Sequence, residues 1–283
     1  DNVNRLVDTL YREIKKTKPW VKFGVSPFGI WRPGYPASVR GFDAYDKLYA
    51  DSRRWINEGH VDYLTPQLYW KLSAPLQGYG QLLAWWRGEN TLARHIWAGN
   101  YANRVGGEGG TAWPASEIVE QVRVTRESAT SPGNVHFSMK VFLKDSDRLV
   151  ERLAEGPYAH PALVPATPWL SSDLPLPPTI TWSTNQNGVS LNIVSVDSPT
   201  DEEVAPRSRR PSAAALPPTA RSPRWWTIRL YLEGSWRVAI IDARLHDIAL
   251  PSATDGALPT HILVTAVDRV GNESQAVAVT PTP

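Results

Sequence analysis

Aromatic, hydroxyl and amide side chains recur at the ends of the predicted β-strands in the first half of the chain. Sugars present apolar C–H faces surrounded by hydroxyl groups, so flat aromatic rings and amides that both donate and accept hydrogen bonds suit them. These residue types therefore predict a groove that holds a saccharide. Its candidate lining residues are Ser26, Trp31, Gln67, Tyr69, Trp70 and Asn100.

Five of the six candidates have a structural alternative. Trp31, Tyr69 and Trp70 would then be core residues, as tryptophans often are. Gln67 lies inside an otherwise apolar strand, where a buried amide needs a partner, and either a ligand or a neighbouring strand would serve. Asn100 would be a turn residue. The sequence leaves both interpretations open.

Hydrolysis of a glycosidic bond requires two carboxyl groups, roughly 5–9.5 Å apart. The predicted strand ends offer no such pair. Asp62 begins its strand, at the opposite end of the sheet, and is interpreted as structural, whereas Glu108 lies in a glycine-rich loop and is interpreted as solvated. The catalytic residues therefore remain unknown from the sequence.

Other chemistries lack their motifs. The chain has no cysteine, its six histidines are scattered without metal-ligand spacing, and the glycine-rich run at 106–110 lacks the Lys-Ser/Thr ending of a phosphate loop. We therefore predict no metal and no cofactor. The formal net charge of +2 gives no argument for nucleic acid, and no apolar run approaches the roughly 20 residues of a membrane span.

The elements that would position these residues alternate along the chain. Apolar periodicity predicts strands at 21–26, 61–70, 95–100 and 135–143, and helices at 3–14, 45–56, 76–86, 116–129 and 145–154. Alternation of this kind indicates an α/β fold with a parallel sheet. About four strand–helix units occur in residues 1–158, half of the eight in a closed (β/α)₈ barrel.

The remainder of the chain is predicted to be different in class. Residues 159–178 are rich in proline and are predicted to form a linker. Residues 179–283 show period-two patterning and an Asn187-Gly188 turn signal, which predict an all-β sandwich. Residues 198–224 are rich in Pro, Ala, Ser and Arg and are predicted to be a disordered insertion. The arginines there would contact an anionic polymer or, alternatively, only solvent.

Four segments carry a family resemblance: DNVNRLV at 1–7, WVKFGVSPFGIW at 20–31, YADSR at 49–53 and VDYLTPQLYW at 61–70. They resemble the bacterial glycosyl hydrolase-like family 10, over about residues 1–158. The segment VTAVDRVGNES at 264–274 resembles the end of a fibronectin type III-like module. The family resemblance implies a (β/α)₈ barrel, export to the cell envelope by a secretory or lipoprotein leader, and in some members cleavage of peptidoglycan glycan strands.

The family's first four strands, with an acidic segment, have no counterpart in this sequence. The resemblance therefore implies that the chain is a fragment holding the C-terminal half of a barrel, inactive alone, whose parent cleaves a polysaccharide with carboxylates from the absent half. The C-terminal module would serve for spacing or envelope attachment. The alternative is a non-catalytic carbohydrate-binding or scaffold protein of the envelope.

Overall fold

The structure, a computed structural model, describes residues 1–107, 111–127, 133–185, 188–196, 222–253 and 256–281. The chain divides into two compact units, Asp1–His160 and Pro161–Pro283. The predicted insertion at 198–224 lies outside the described residues except for its last three. The predicted domain boundaries remain a prediction.

The first unit alternates helices with short strands. Its helices are α1 (Asn2–Thr17), α2 (Ala44–Leu48), α3 (Ser52–Asn57), α4 (Tyr79–Gly88), α5 (Ala115–Glu127), α6 (Met139–Lys144) and α7 (Leu149–Glu155). Its strands are β1 (Gly24–Val25), β2 (Tyr63–Leu64), β3 (His95–Ile96), β4 (Ala98–Asn100) and β5 (Asn134–His136). Single 3₁₀ turns occur at Ala102–Arg104 and Ser146–Arg148.

The strand pairs described in the first unit are parallel, which confirms the predicted α/β class. One sheet has the order β1-β2-β3, and β4 pairs with β5 in a second sheet. The two sheets follow one another along the chain, since only Trp97 separates β3 from β4. Within the described residues these sheets are open and do not close into a barrel.

Two apolar cores stabilise the first unit. The larger lies against β1–β3 and fully buries Ile56, Leu64 and Trp86, and burial of each such side chain contributes about 1.5–3 kcal/mol. The smaller joins α5 to α7 through Ile118 and Leu149.

The first helix shows where apolar periodicity misleads. The predicted apolar face of α1 includes Leu6 and Leu10, yet these are 57% and 43% exposed, and Val7 is the buried residue of the helix. In α1, therefore, fewer residues are buried than the apolar pattern predicts.

Two other element predictions are wrong. The helix predicted at 45–56 is divided into α2 and α3, because Tyr49 adopts the left-handed conformation and Asp51 caps a new helix. The strand predicted at 135–143 ends at His136, and residues from Met139 onward form α6.

The described residues of the second unit form antiparallel β-sheets and no helix, in agreement with the predicted all-β class. Two antiparallel sheets have the orders β10-β7-β6 and β12-β11-β8-β9 and share one apolar core. The strands are β6 (Thr179–Asn185), β7 (Gly188–Val194), β8 (Trp225–Leu232), β9 (Ser235–Asp242), β10 (Asp247–Leu250), β11 (His261–Val267) and β12 (Val277–Val279). Strands β6 and β7 form the predicted hairpin, whose residue Asn187 lies outside the described residues. The short strand β10 was not predicted.

The proline-rich segment contains neither helix nor strand between α7 and β6. It nevertheless has fixed contacts with the second unit. The buried Thr167 donates its N–H to the carbonyl of Val270 at 2.9 Å, and Asn272 Nδ2 donates to the carbonyl of Ser171 at 2.9 Å. At least this part of the segment is therefore held by the β-unit.

Candidate functional site

The carboxyl ends of the strands in the first unit meet around the backbone of Gln67. Gln67 pairs in parallel with Phe28 on one side and with Gly99 on the other. A Cβ on Gly29 would overlap the carbonyl oxygen of Gln67, and one on Gly99 would lie 3.2 Å from the Cα of Gln67. Glycine at these two positions therefore permits three chain segments to approach closely at the edge where parallel α/β sheets place their sites.

Ser26 and Gln67 are brought into direct contact. Gln67 Nε2 donates to the carbonyl of Ser26 at 3.1 Å, and Ser26 Oγ donates to the carbonyl of Thr65 at 2.9 Å. Among the described residues, none donates to Oε1 of Gln67. The exposed hydroxyl and the free amide oxygen can therefore serve a polar ligand.

Aromatic rings border this polar pair. Phe28 lies edge-to-face with Phe42 at 5.5 Å and with Trp70 at 5.9 Å between ring centroids. We call these three residues the Trp70 cluster. Trp70 is half-buried against the larger core, so it has both a packed side and an accessible side.

A second group of rings, the Tyr69 cluster, follows on the other side of the same strand end. It consists of Tyr69, Tyr101 and Phe137. Tyr69 is stacked on Tyr101 at 4.7 Å and lies 6.0 Å from Phe137, which is 50% exposed. Neither Tyr101 nor Phe137 was among the predicted lining residues. Their position directly after β4 and β5 was the signal that could have identified them.

The phenol of Tyr69 stays protonated at neutral pH. Burial, and secondarily the neighbouring Tyr101, raises the pKa of Tyr69 above its ordinary value. Its hydroxyl can therefore donate a hydrogen bond to a ligand.

Asn100 lies beneath these surfaces in a buried polar network. Its side chain is fully buried, its Nδ2 donates to Gln121 Oε1 at 2.9 Å, and its Oδ1 accepts from Asn134 Nδ2 at 2.8 Å. Tyr79 Oη accepts from both asparagines, and burial raises the pKa of Tyr79 to about 12. Asn100 therefore does not reach the surface, contrary to its predicted place in the lining, and acts as a positioning residue.

Gln121 joins this network to the segment that carries Trp70. Its Nε2 donates to the carbonyl of Trp70 at 3.2 Å and to Glu117 Oε1 at 3.0 Å. The same carboxylate oxygen accepts the N–H of Leu72 at 2.8 Å. Glu117 is thus a half-buried carboxylate at this end of the sheet. Its place at the start of the helix predicted at 116–129 gave no indication of these contacts.

Trp31 lies apart from this group. It is 8% exposed, its ring is stacked 6.0 Å from that of Trp85, and its Nε1 donates to Asp51 Oδ1 at 3.2 Å. The core interpretation therefore applies to Trp31, and we leave it out of the candidate site.

Asp62 occupies the opposite end of β2, where it is structural as predicted. It is fully buried, accepts the N–H of Phe23 at 2.7 Å and pairs with Lys15 at 2.5 Å. This carboxylate organises the amino-terminal edge of the sheet and takes no part in the candidate site.

The described residues lack two features that would indicate other functions. They contain no group of three or more His, Asp or Glu side chains that could hold a metal ion. In the same parts of the chain, no helix is long and apolar enough to cross a membrane.

Residues 1–111 match the glycosyl hydrolase-like 10 family. Glycosyl hydrolase YngK of Bacillus subtilis is 38% identical over 201 residues, which cover 68% of this chain and 39% of that protein. Glycosyl hydrolase DigH of Escherichia coli K12 is 42% identical over 90 residues, covering 30% of this chain and 20% of that protein. The chain is thus homologous to both relatives but spans well under half of the length of either.

Proposed function

We propose that this chain is the carbohydrate-holding part of a glycoside hydrolase. The observation that carries the proposal is the pairing of Gln67 and Ser26 between the Trp70 and Tyr69 clusters, at the carboxyl ends of parallel strands. Rings flanking a polar pair match a sugar's apolar faces and hydroxyl rim. Homology to glycosyl hydrolases supports the same conclusion.

The chemistry we propose is cleavage of a glycosidic bond by two carboxyl groups. Glu117 is the carboxylate hydrogen-bonded to the Trp70 segment, and it already accepts two hydrogen bonds. We therefore place at least one of the two catalytic carboxyl groups in residues outside this chain. The proposed substrate is a polysaccharide of the bacterial envelope, such as the glycan strands of peptidoglycan. The parent protein would accordingly be exported.

For the second unit we propose a fibronectin type III-like module that spaces the first unit from the envelope or attaches it there. The sheet orders β6-β7-β10 and β9-β8-β11-β12 around one core support this. Three strands against four is the arrangement of a seven-stranded sandwich of the immunoglobulin-like type.

Binding of penta-N-acetylchitopentaose, a neutral oligosaccharide, tests the proposal, with affinity measured by isothermal titration calorimetry. Trp70→Ala should weaken binding about tenfold because a stacked ring is lost, whereas Trp70→Phe should retain most of the affinity. Tyr49→Ala removes an aromatic ring that is 69% exposed and lies outside both clusters, and it should have no effect. Absence of binding by the unmodified chain, or equal binding by Trp70→Ala, would contradict the proposal.

An assay of reducing-end release from the same oligosaccharide separates this function from its alternative. The chain alone should bind without hydrolysis, and a longer protein that contains it should hydrolyse. A longer protein that binds but never cleaves would favour the non-catalytic carbohydrate-binding protein. One observation favours this second candidate: among the described residues, no pair of carboxyl groups lies at the strand ends.

A further inference from the structure

A polar cavity lies beside the Tyr69 cluster, and we propose that it binds a carboxylate carried by the glycan. This inference rests on the proposed function and specifies its substrate as an acidic polysaccharide. The cavity has a volume of about 270 Å³, and Asn103, Lys140, Lys144 and Ser146 contribute to its lining. Two of these four side chains are cationic.

The two lysines lie in the same short helix. Lys140 and Lys144 are four residues apart in α6, so they extend from the same face of the helix. Within the described parts of the chain, neither lysine has an ion-pair partner. Like charges at this spacing repel each other, and an anion bound between them would remove that repulsion.

Asn103 adds an amide donor with a fixed orientation. Its Oδ1 accepts from the N–H of Ser138 at 3.1 Å and lies 3.3 Å from the Ser138 hydroxyl. The amide is therefore turned so that Nδ2 remains available as a donor. An asparagine held this way, next to two ammonium groups, suits an acceptor-only group such as a carboxylate.

Asn103 also connects the cavity to the proposed sugar site. The backbone N–H of Asn103 donates to the carbonyl of Phe137 at 2.9 Å, and Phe137 belongs to the Tyr69 cluster. A third cation is close by, since the guanidinium of Arg104 lies 5.7 Å from the ring of Tyr101. A sugar stacked on the Tyr69 cluster would thus have its substituents near positive charge.

The carboxylates of the adjoining segment have other partners. Asp145 Oδ1 accepts the N–H of Val150 at 2.9 Å. Asp147 accepts the N–H of Ala115 at 2.7 Å and lies 3.6 Å from Arg152. As far as the described residues extend, these carboxylates bind groups other than the two lysines, whose positive charge can then serve a ligand.

The experiment uses the full 283-residue chain and compares two probes, neutral penta-N-acetylchitopentaose and its anionic O-carboxymethyl derivative. We expect the carboxymethyl form to bind about fivefold tighter at low salt, because two exposed ion pairs each add to its binding free energy. The double variant Lys140→Gln/Lys144→Gln should lose this preference while binding the neutral probe unchanged. In 1 M salt, where the screening length falls to about 3 Å, the preference should disappear in the unmodified chain as well.

Lys18→Gln is the matched control, because Lys18 is also exposed and lies after α1, away from the strand ends. It should keep the full preference. Equal binding of both probes by the unmodified chain would overturn the carboxylate site and leave the proposed function standing. A preference that survives in the double variant would also overturn it. Failure of both probes to bind would overturn the proposed function and this inference together.

Discussion

At the residue scale, two amides of the same strand-end region have opposite roles. Gln67 is half-buried with a free acceptor oxygen, whereas Asn100 is fully buried with both of its polar side-chain atoms hydrogen-bonded. Residue type does not distinguish a ligand-facing amide from a supporting one. The number of partners that each atom has in the fold does.

Asn100→Ala should therefore act on stability. It leaves the buried Gln121 Oε1 and Asn134 Nδ2 each without one partner, and we expect the free energy of unfolding to fall by about 2–4 kcal/mol. Gln67→Ala should cost under about 1 kcal/mol, because its contact with Ser26 is exposed. Urea denaturation of both variants checks this, and equal losses would refute the distinction.

His136 should make stability depend on pH. Burial lowers the pKa of His136 to about 4, and its Nε2 lies 2.9 Å from Tyr158 Oη. The unfolded chain, with an ordinary pKa near 6.5, binds the proton more readily. The stabilisation is thus complete above about pH 6.5 and is lost progressively as the pH falls toward 4.

The measurement is denaturation at pH 7.5 and pH 5. For this histidine alone, we expect a loss of about 1–2 kcal/mol between the two. His136→Gln removes the titrating group and should show a smaller loss over the same interval. An identical pH dependence in the variant would exclude His136 as a contributor.

At the scale of elements, Asp51 joins a helix start to a core aromatic residue. Its Oδ1 accepts from the N–H of Arg54 at 3.3 Å and from Trp31 Nε1 at 3.2 Å. Asp51→Ala should lower the free energy of unfolding by about 1–2 kcal/mol through loss of the cap. Asp46→Ala, which removes an exposed carboxylate paired with Lys47, should cost under about 0.5 kcal/mol and serves as the control in the same thermal melts.

Sequence periodicity predicted the alternation of elements because helices such as α4 and α5 bury apolar residues at helical spacing. It missed the break between α2 and α3 because Tyr49, at φ 53°, carries no glycine or proline signal. It missed α6 because Val141 and Phe142 are equally compatible with a strand. That error also hid Phe137, which lies at the true strand end.

The sequence also predicted only part of the candidate site. Ser26, Gln67, Tyr69 and Trp70 are grouped at one edge because parallel strands end together, a consequence of topology that sequence can reveal. The burial of Trp31 and Asn100 depends on side chains distant in sequence, namely Trp85 and Gln121. No local pattern contains that information.

At the scale of the whole molecule, each unit has its own core. The second unit buries Leu191, Trp226 and Val264 between its two sheets without contribution from the first. Residues 161–283 expressed alone should therefore fold, with cooperative urea unfolding and a native near-ultraviolet circular dichroism signal. A gradual, non-cooperative transition would contradict this independence.

The first unit should behave differently alone, because its described parallel sheets are open. Unpaired sheet edges promote association. We expect residues 1–158 to self-associate in sedimentation experiments, whereas residues 161–283 stay monomeric. A monodisperse, cooperatively melting first unit would show that the open sheets are adequately covered.

The sealed amide network under the strand ends has a consequence for isotope exchange. After transfer into heavy water, the carboxamide hydrogens on Asn100 and Asn134 should persist in nuclear magnetic resonance spectra long after those on Gln67 have vanished. The rate at which these signals decay would report how often the buried network of Asn100 and Asn134 opens to water. If a bound saccharide stabilises the closed form of this network, the signals would decay more slowly in its presence. The measurement needs no label or probe attached to the protein.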